Sequence, residues 1–209
     1  MKVLVFGATG GTGRFLMEGS LDAGHTVTAF VREPVGRVVA RDKLRVVRGN
    51  VLDAASVDAA VAGQDEVLSA LGSTTRHPEP VLSEGMRYVL NAMERHRVRR
   101  IVVLSAAGAL REPAGFLIGN LAVRVARMWL PEVYREHRKM LDALKARDLD
   151  WTAVRAPVLT NGSRKGHYRV ILEGIPHWGF RISREDVADF MVRQLSLDEF
   201  VRKMPAIAY

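Results

Sequence analysis

The 209-residue chain is 48% hydrophobic and 26% charged, the balance of a folded domain with one sizeable core rather than a disordered chain. The absence of cysteine excludes a disulfide framework, a thiolate metal cluster and a thiol nucleophile, and it suits a reducing cytoplasm. The formal charge of +8 is scattered over several helical patterns with no aromatic-interleaved basic stripe. That pattern speaks for steering anionic small molecules and against a nucleic-acid partner.

The chain enters a strand pattern at Val3–Phe6 without the longer apolar stretch and cleavage site of a secretory signal. Directly after it comes Gly7-Ala8-Thr9-Gly10-Gly11-Thr12-Gly13, leading into a helix. Glycines at such a turn allow a tight reversal, a close approach of backbone to a pyrophosphate, and close packing of helix on strand. The N–H groups and positive end of the following helix then face the phosphates. Gly7, Thr9, Gly10, Gly11, Thr12 and Gly13 are therefore candidate dinucleotide-binding residues. The spacing is Gly-x-x-Gly-x-x-Gly, not the Gly-x-Gly-x-x-Gly of many dehydrogenases.

Val27–Val31 is the second predicted strand, and Arg32 follows where an NAD-binding site usually carries an acid. A guanidinium there can grip a 2′-phosphate through charge-assisted hydrogen bonds, so NADPH is the expected cofactor, with Arg14 and Thr12 assisting. Leu44–Val47 is the third strand. Asp53 N-caps a helix that turns Val57, Ala60 and Val61 inward and stops at Gly63. Val67–Leu71 is the fourth strand. Leu82, Met86, Val89, Leu90 and Met93 share one face of the next helix, entered near Pro80.

Ile101–Leu104 and Trp151–Val154 complete the series of short apolar strands expected in a sheet covered on both faces. Between them, residues 116–130 are strongly apolar but too short for a membrane span and interrupted by Arg124 and Arg127. They are expected to pack as core or as a flap over a pocket. Tyr134 and His137 lie one helical turn apart. Tyr134 begins a Tyr-x-x-x-Arg, with Lys139 one place beyond, so the Tyr-x-x-x-Lys pair of short-chain dehydrogenases is missing. Tyr168–Leu172 and Arg181–Ser183 read as further strands around the turn Gly174-Ile175-Pro176. Ser183 and Asp186 form a capping box opening a helix with Val187, Phe190, Met191 and Leu195 inward. Trp129, Tyr134, Trp178 and Phe180 are candidate flat walls for an aromatic acceptor.

Repeated β-α units predict a Rossmann-type α/β fold: a doubly wound parallel sheet with right-handed crossovers. Residues 1–209 form a single domain, in which about 156–209 supply a small substrate-side cover.

Gly7–Arg14, Val31-Arg32, Gly49-Asn50-Val51-Leu52-Asp53, Ala70-Leu71-Gly72, Val102-Val103-Leu104-Ser105 and Ile182-Ser183-Arg184-Glu185-Asp186-Val187-Ala188 resemble the atypical short-chain dehydrogenase/reductases with an NAD(P)H-binding, NmrA-like domain. The likeness is nearest to the flavin reductase/biliverdin-IXβ reductase group and covers almost the whole chain. It implies that Asn50 and Val51 lie against adenine, although relatives commonly carry Asp at position 50. It also implies that Leu71 and Gly72 pass beneath the cofactor, that Ser105 sits beside the nicotinamide, and that Pro157 and Val158 touch its carboxamide. His137 matches a pocket histidine of the group, so Ser105 and His137 are the catalytic candidates. Mammalian members place a histidine where this chain has Val158, so a proton donor at that site cannot operate here. The implied activity is NADPH-dependent reduction of a flavin, quinone or similar conjugated acceptor, in a cytoplasmic monomer or small homo-oligomer without metal or membrane. The alternative is a non-catalytic redox sensor of the NmrA-like type.

Overall fold

The computed structural model describes residues 1–33, 42–72, 80–110, 124–125, 127–174 and 179–209. Its strands are β1 (Lys2–Phe6), β2 (Thr26–Val31), β3 (Leu44–Arg48), β4 (Glu66–Ser69), β5 (Arg100–Ala106), β6 (Asp150–Ala156), β7 (Val158–Thr160), β8 (Arg169–Ile171), β9 (Arg181–Ser183) and β10 (Ala206–Ala208). The helices are α1 (Gly13–Asp22), α2 (Ala54–Val61), α3 (Ser83–His96), α4 (Pro131–Lys145) and α5 (Arg184–Arg193).

The main sheet runs β3-β2-β1-β4-β5-β6-β10-β8, and β7 pairs with β9 in a separate two-stranded sheet. Strands β1 to β6 are mutually parallel, β10 joins β6 in parallel, and β8 closes the edge antiparallel to β10. The chain order reverses at β1, between β2 and β4, which opens a crevice beyond the carboxyl ends of those strands.

Side-chain alternation along the strands builds a core on each face. Leu4 and Phe6 of β1 join a cluster with Val57 of α2, Met86 and Val89 of α3, and Met140 and Leu144 of α4. Val3 and Val5 point the other way, into a cluster with Leu16 of α1 and Val187 and Met191 of α5. Every one of these side chains is fully buried, so the sheet is doubly wound as the non-alternating strands require.

Local chemistry sets the helix ends. The Asp53 carboxylate accepts the Ala55 N–H at 3.1 Å, capping α2, and Gly63 follows the helix with φ +73°. Ser183 Oγ accepts the Asp186 N–H at 3.0 Å and caps α5. Helix α3 has no capping side chain of its own at Leu82. Glu136 of α4 supplies one from across the fold, accepting the Ser83 N–H at 3.2 Å and the Ser83 hydroxyl at 2.7 Å. This ties α4 to the start of α3.

The structure also departs from the strand pattern in two places. Strand β4 ends at Ser69, and the backbone that follows passes close to Gly7: a Cβ at Gly7 would lie 2.6 Å from the Ala70 carbonyl oxygen. Strands β7 and β10 have no counterpart among the predicted elements. Each has only three residues, and Ala-Ile-Ala carries no alternation to mark it.

Candidate functional site

The carboxyl ends of β1, β2, β4, β5 and β6 surround a cavity of about 700 Å³. At one side is the glycine turn. Gly7 has φ +75°, and its carbonyl accepts the Gly10 N–H at 2.9 Å. Gly13 packs so tightly behind the turn that a Cβ would fall 2.0 Å from the Gly7 oxygen. Gly7, Thr9, Gly10, Gly11 and Thr12 line the cavity, whereas Gly13 is buried behind it. Helix α1 starts with no side-chain cap at Thr12 and no acidic residue in its first turn. Its positive end is therefore uncompensated, as an anion-binding terminus requires.

Next to the turn, Arg32 and Asn50-Val51 form the wall beyond β2 and β3. Asn50 Oδ1 accepts the Leu52 N–H at 3.0 Å, which fixes the side chain. A second lone pair on that oxygen and the amide N–H groups are left for further hydrogen bonds. Two close approaches place this loop. A Cβ on Gly49 would strike the Phe30 ring at 2.5 Å, and one on Gly85 would meet Val51 at 2.8 Å. Arg14, by contrast, is exposed with its guanidinium 4.7 Å from the Phe15 ring centroid, and it does not line the cavity.

Leu71 and Gly72 after β4, Ser105 of β5 and Pro157 after β6 also line it, together with His137 of α4. Val158 starts β7 with 67% of its surface exposed and is not part of the lining. Ser105 and His137 are both buried, with Ser105 Oγ 3.3 Å from His137 Nδ1. Burial lowers the His137 pKa from 6.5 to about 4, with the Glu136 carboxylate pulling the other way. The ring is neutral at physiological pH. Burial works against the Glu136 charge too, but hydrogen bonds from Ser83 and Lys139 hold its carboxyl below the ordinary value.

Tyr134 lies outside the cavity lining and packs against the core on the α2–α4 face, where burial raises its phenol pKa. Lys139 points to Glu136 at 3.1 Å. A tyrosine–lysine pair is therefore not assembled in this site. Of the candidate aromatic walls, Trp129 is 76% exposed and Phe180 39% exposed, while Trp178 and most of the apolar stretch, residues 116–123 and 126, lie outside the described residues. Phe30, by contrast, does line the cavity.

Sequence reasoning did not single out Arg184, Leu159, Val81 or Leu104 as site residues, yet all line the cavity. Arg184 was legible only as part of the capping-box segment. Its side chain reaches the glycine turn because Asp186 anchors the start of α5. That carboxylate accepts from Ser183 Oγ at 2.8 Å, from the Gly166 and Lys165 N–H groups at 2.8 and 3.0 Å, and from the Tyr209 hydroxyl. Among the described residues no cluster of His, Asp or Glu could hold a metal, and no helix is long and apolar enough to cross a membrane.

His137 makes stability depend on pH in a way that Glu66 opposes. The unfolded chain takes up a proton on His137 below pH 6.5 that the folded chain refuses until about 4, so stability falls with acidification across that window. The shift corresponds to roughly 3 kcal/mol. Burial raises the Glu66 carboxyl from 4.5 to about 7, against the pull of Arg100, so its contribution falls as pH rises between those values. The two partly cancel, and the melting temperature of the wild type is expected to change little from pH 4.5 to 6.5. Glu66→Gln should make it fall on acidification through that window, and His137→Asn should make it rise. Thermal melts of both variants that track the wild type in parallel would refute these assignments.

A family profile described as NAD(P)H-binding matches residues 7–198. The photosystem II assembly factor Ycf39 of Synechocystis is 25% identical over 217 aligned residues, covering 97% of this chain and 61% of that protein. Cinnamoyl-CoA reductase 1 of Oryza sativa subsp. japonica is 34% identical over 118 residues, 52% of this chain and 35% of that one. The chain thus spans less than two thirds of these relatives. Among solved structures, a short-chain dehydrogenase/reductase of Veillonella parvula in complex with NADP superposes with TM-score 0.84 at 20% identity, over 100% of this chain and 94% of that one. The anaerobilin reductase of Escherichia coli O157:H7 superposes with TM-score 0.79 at 21% identity, over 100% and 97%. At these identities the likeness establishes the Rossmann-type fold.

Proposed function

Because the chain belongs to the NAD(P)H-binding family, we propose that it is an NADPH-dependent reductase of flavins, quinones or similar flat conjugated acceptors, of the flavin reductase/biliverdin-IXβ reductase kind. The observation that carries this reading is one continuous cavity. It joins the glycine turn and Arg32 on one side to Ser105 and His137 on the other. Reduced dinucleotide, when bound, supplies a hydride from nicotinamide C4.

The residues divide the work. The turn from Gly7 to Gly13 receives the pyrophosphate on backbone N–H groups and the α1 terminus. Arg32, with no acid at the end of β2, takes the adenosine 2′-phosphate, and Asn50 and Val51 take the adenine. Leu71 and Gly72 lie under the cofactor, and Pro157 stands by the carboxamide. Ser105 orients the nicotinamide or the acceptor by hydrogen bond. With Ser105 donating to Nδ1, neutral His137 keeps its proton on Nε2 and serves as a hydrogen-bond donor. A conjugated acceptor delocalises the added charge and can take its proton from water, so proximity and orientation carry the rate without a tyrosine acid. Residues 156–209, with the β7–β9 arm, form the substrate-side cover.

Oxidation of NADPH by a panel of flavins and quinones tests the reading. Turnover with at least one of them is expected. Tight NADPH binding without oxidation by any would favour a non-catalytic redox sensor of the NmrA-like type. Ser105→Ala should lower kcat/KM, and His137→Ala should lower it only about 10-fold, below the usual range for general acid–base catalysis. Since His137 stays neutral down to about pH 4, kcat/KM should show no inflection near pH 6.5. Complete loss of turnover in His137→Ala with NADPH binding intact would instead make it a required acid.

A further inference from the structure

We propose that Arg184 binds the dinucleotide pyrophosphate from the side opposite the glycine turn and so ties cofactor occupancy to the β7–β9 arm; this rests on the reading of the cavity as a dinucleotide site. Arg184 is the first residue of α5, directly after β9. Its side chain crosses to the turn and lies over Gly11. A Cβ there would meet Arg184 Nε at 2.7 Å and Cδ at 2.8 Å. A side chain at Gly11 would have to displace the arginine from that space.

One guanidinium nitrogen is already engaged on the arm. Nη1 donates to the Leu159 carbonyl at 3.2 Å and to Asn161 Oδ1 at 2.7 Å. Leu159 belongs to β7, whose residues pair in register with β9. Among the described residues, no carboxylate forms a salt bridge with Arg184. Glu185 accepts the Arg164 N–H at 2.9 Å, and Asp186 is committed to Ser183, Lys165, Gly166 and Tyr209. The guanidinium therefore sits beside the uncapped, acid-free N-terminus of α1, cation against positive helix end. That arrangement is unfavourable until an anion lies between them. A pyrophosphate laid along the turn fits, since a planar guanidinium can present paired N–H groups to phosphate oxygens. The same residue then bridges the phosphates and the arm, and binding cofactor should stiffen β7.

Calorimetric titration of wild type, Arg184→Gln and Arg184→Lys with NADPH and with adenosine 2′-monophosphate, which has no pyrophosphate, tests the proposal. NADPH should bind R184Q about 10- to 100-fold more weakly, with R184K between, the range for hydrogen bonds to charged groups. Binding of the adenosine monophosphate should change less than about twofold, since no contact to the pyrophosphate is lost. Hydrogen exchange at residues 158–161 should slow when NADPH saturates the wild type, and slow less in saturated R184Q. Equal NADPH affinity in the three proteins, or an equal loss for both ligands, would overturn the pyrophosphate assignment. Equal protection of β7 in wild type and R184Q would overturn the coupling. Should R184Q fail to fold, R184K decides by the same comparison. Wild-type protein that binds neither ligand would overturn the cavity reading itself, a result distinct from these.

Discussion

A valine at Gly10 is expected to weaken dinucleotide binding roughly 100-fold in a chain that still folds. Among the described residues, a Cβ at Gly10 meets the Gly7 oxygen at 3.1 Å, a tight contact that asks for a shift of a few tenths of an ångström. The branched side chain would stand in the cavity where the phosphates approach the backbone. Losing two charge-assisted contacts there costs about 3 kcal/mol or more, roughly 100-fold in affinity. The neighbouring glycines behave differently. Gly13→Ala drives a methyl 2.0 Å from the Gly7 oxygen, and Gly7→Ala strains a φ of +75° while striking the Ala70 carbonyl at 2.6 Å. Those backbone contacts cannot yield, so both variants should lose about 3 kcal/mol of stability or more, among the larger effects of point substitutions. Thermal melting and NADPH titration separate the two classes. Unchanged affinity in a folded Gly10→Val would remove the turn from the site.

Arg32→Ala should discriminate between the two nicotinamide cofactors. The side chain lines the cavity at the end of β2, and the exposed position means its removal leaves the core intact. Loss of its hydrogen bonds to the 2′-phosphate should weaken NADPH by about 1.5–3 kcal/mol, roughly 10- to 150-fold, and leave NADH nearly unchanged. Parallel titrations with both cofactors check it. An equal loss for both would mean that Arg32 acts on something other than the 2′-phosphate.

How far the site could be read in advance follows from the range of the interactions that build it. The strand–turn–helix of residues 3–22 and the caps at Asp53 and Ser183 are local events, set by residues a few positions apart, and they are legible in sequence. Arg184 over Gly11 and Glu136 over Ser83 join segments far apart in the chain, and no local pattern announces them. Helical phase also matters. Residues three apart on a helix differ by about 60° in direction. That offset turns His137 into the cavity while Tyr134 packs against the core, although their spacing alone placed them on one face. The neutrality of His137 could not be read from its identity either, because it depends on burial that only the assembled fold supplies.

Single-turnover oxidation of NADPH carrying deuterium at the transferred C4 position, with protein in excess over cofactor and a flavin or quinone as acceptor, is the most direct test of the central claim. Direct transfer within the cavity predicts that NADPH disappears in one protein-dependent phase, slowed by the isotope, and that Gly10→Val needs a far higher protein concentration to show this phase. Bound NADPH that persists unoxidised through the whole acceptor panel would contradict a reductase of flavins and quinones.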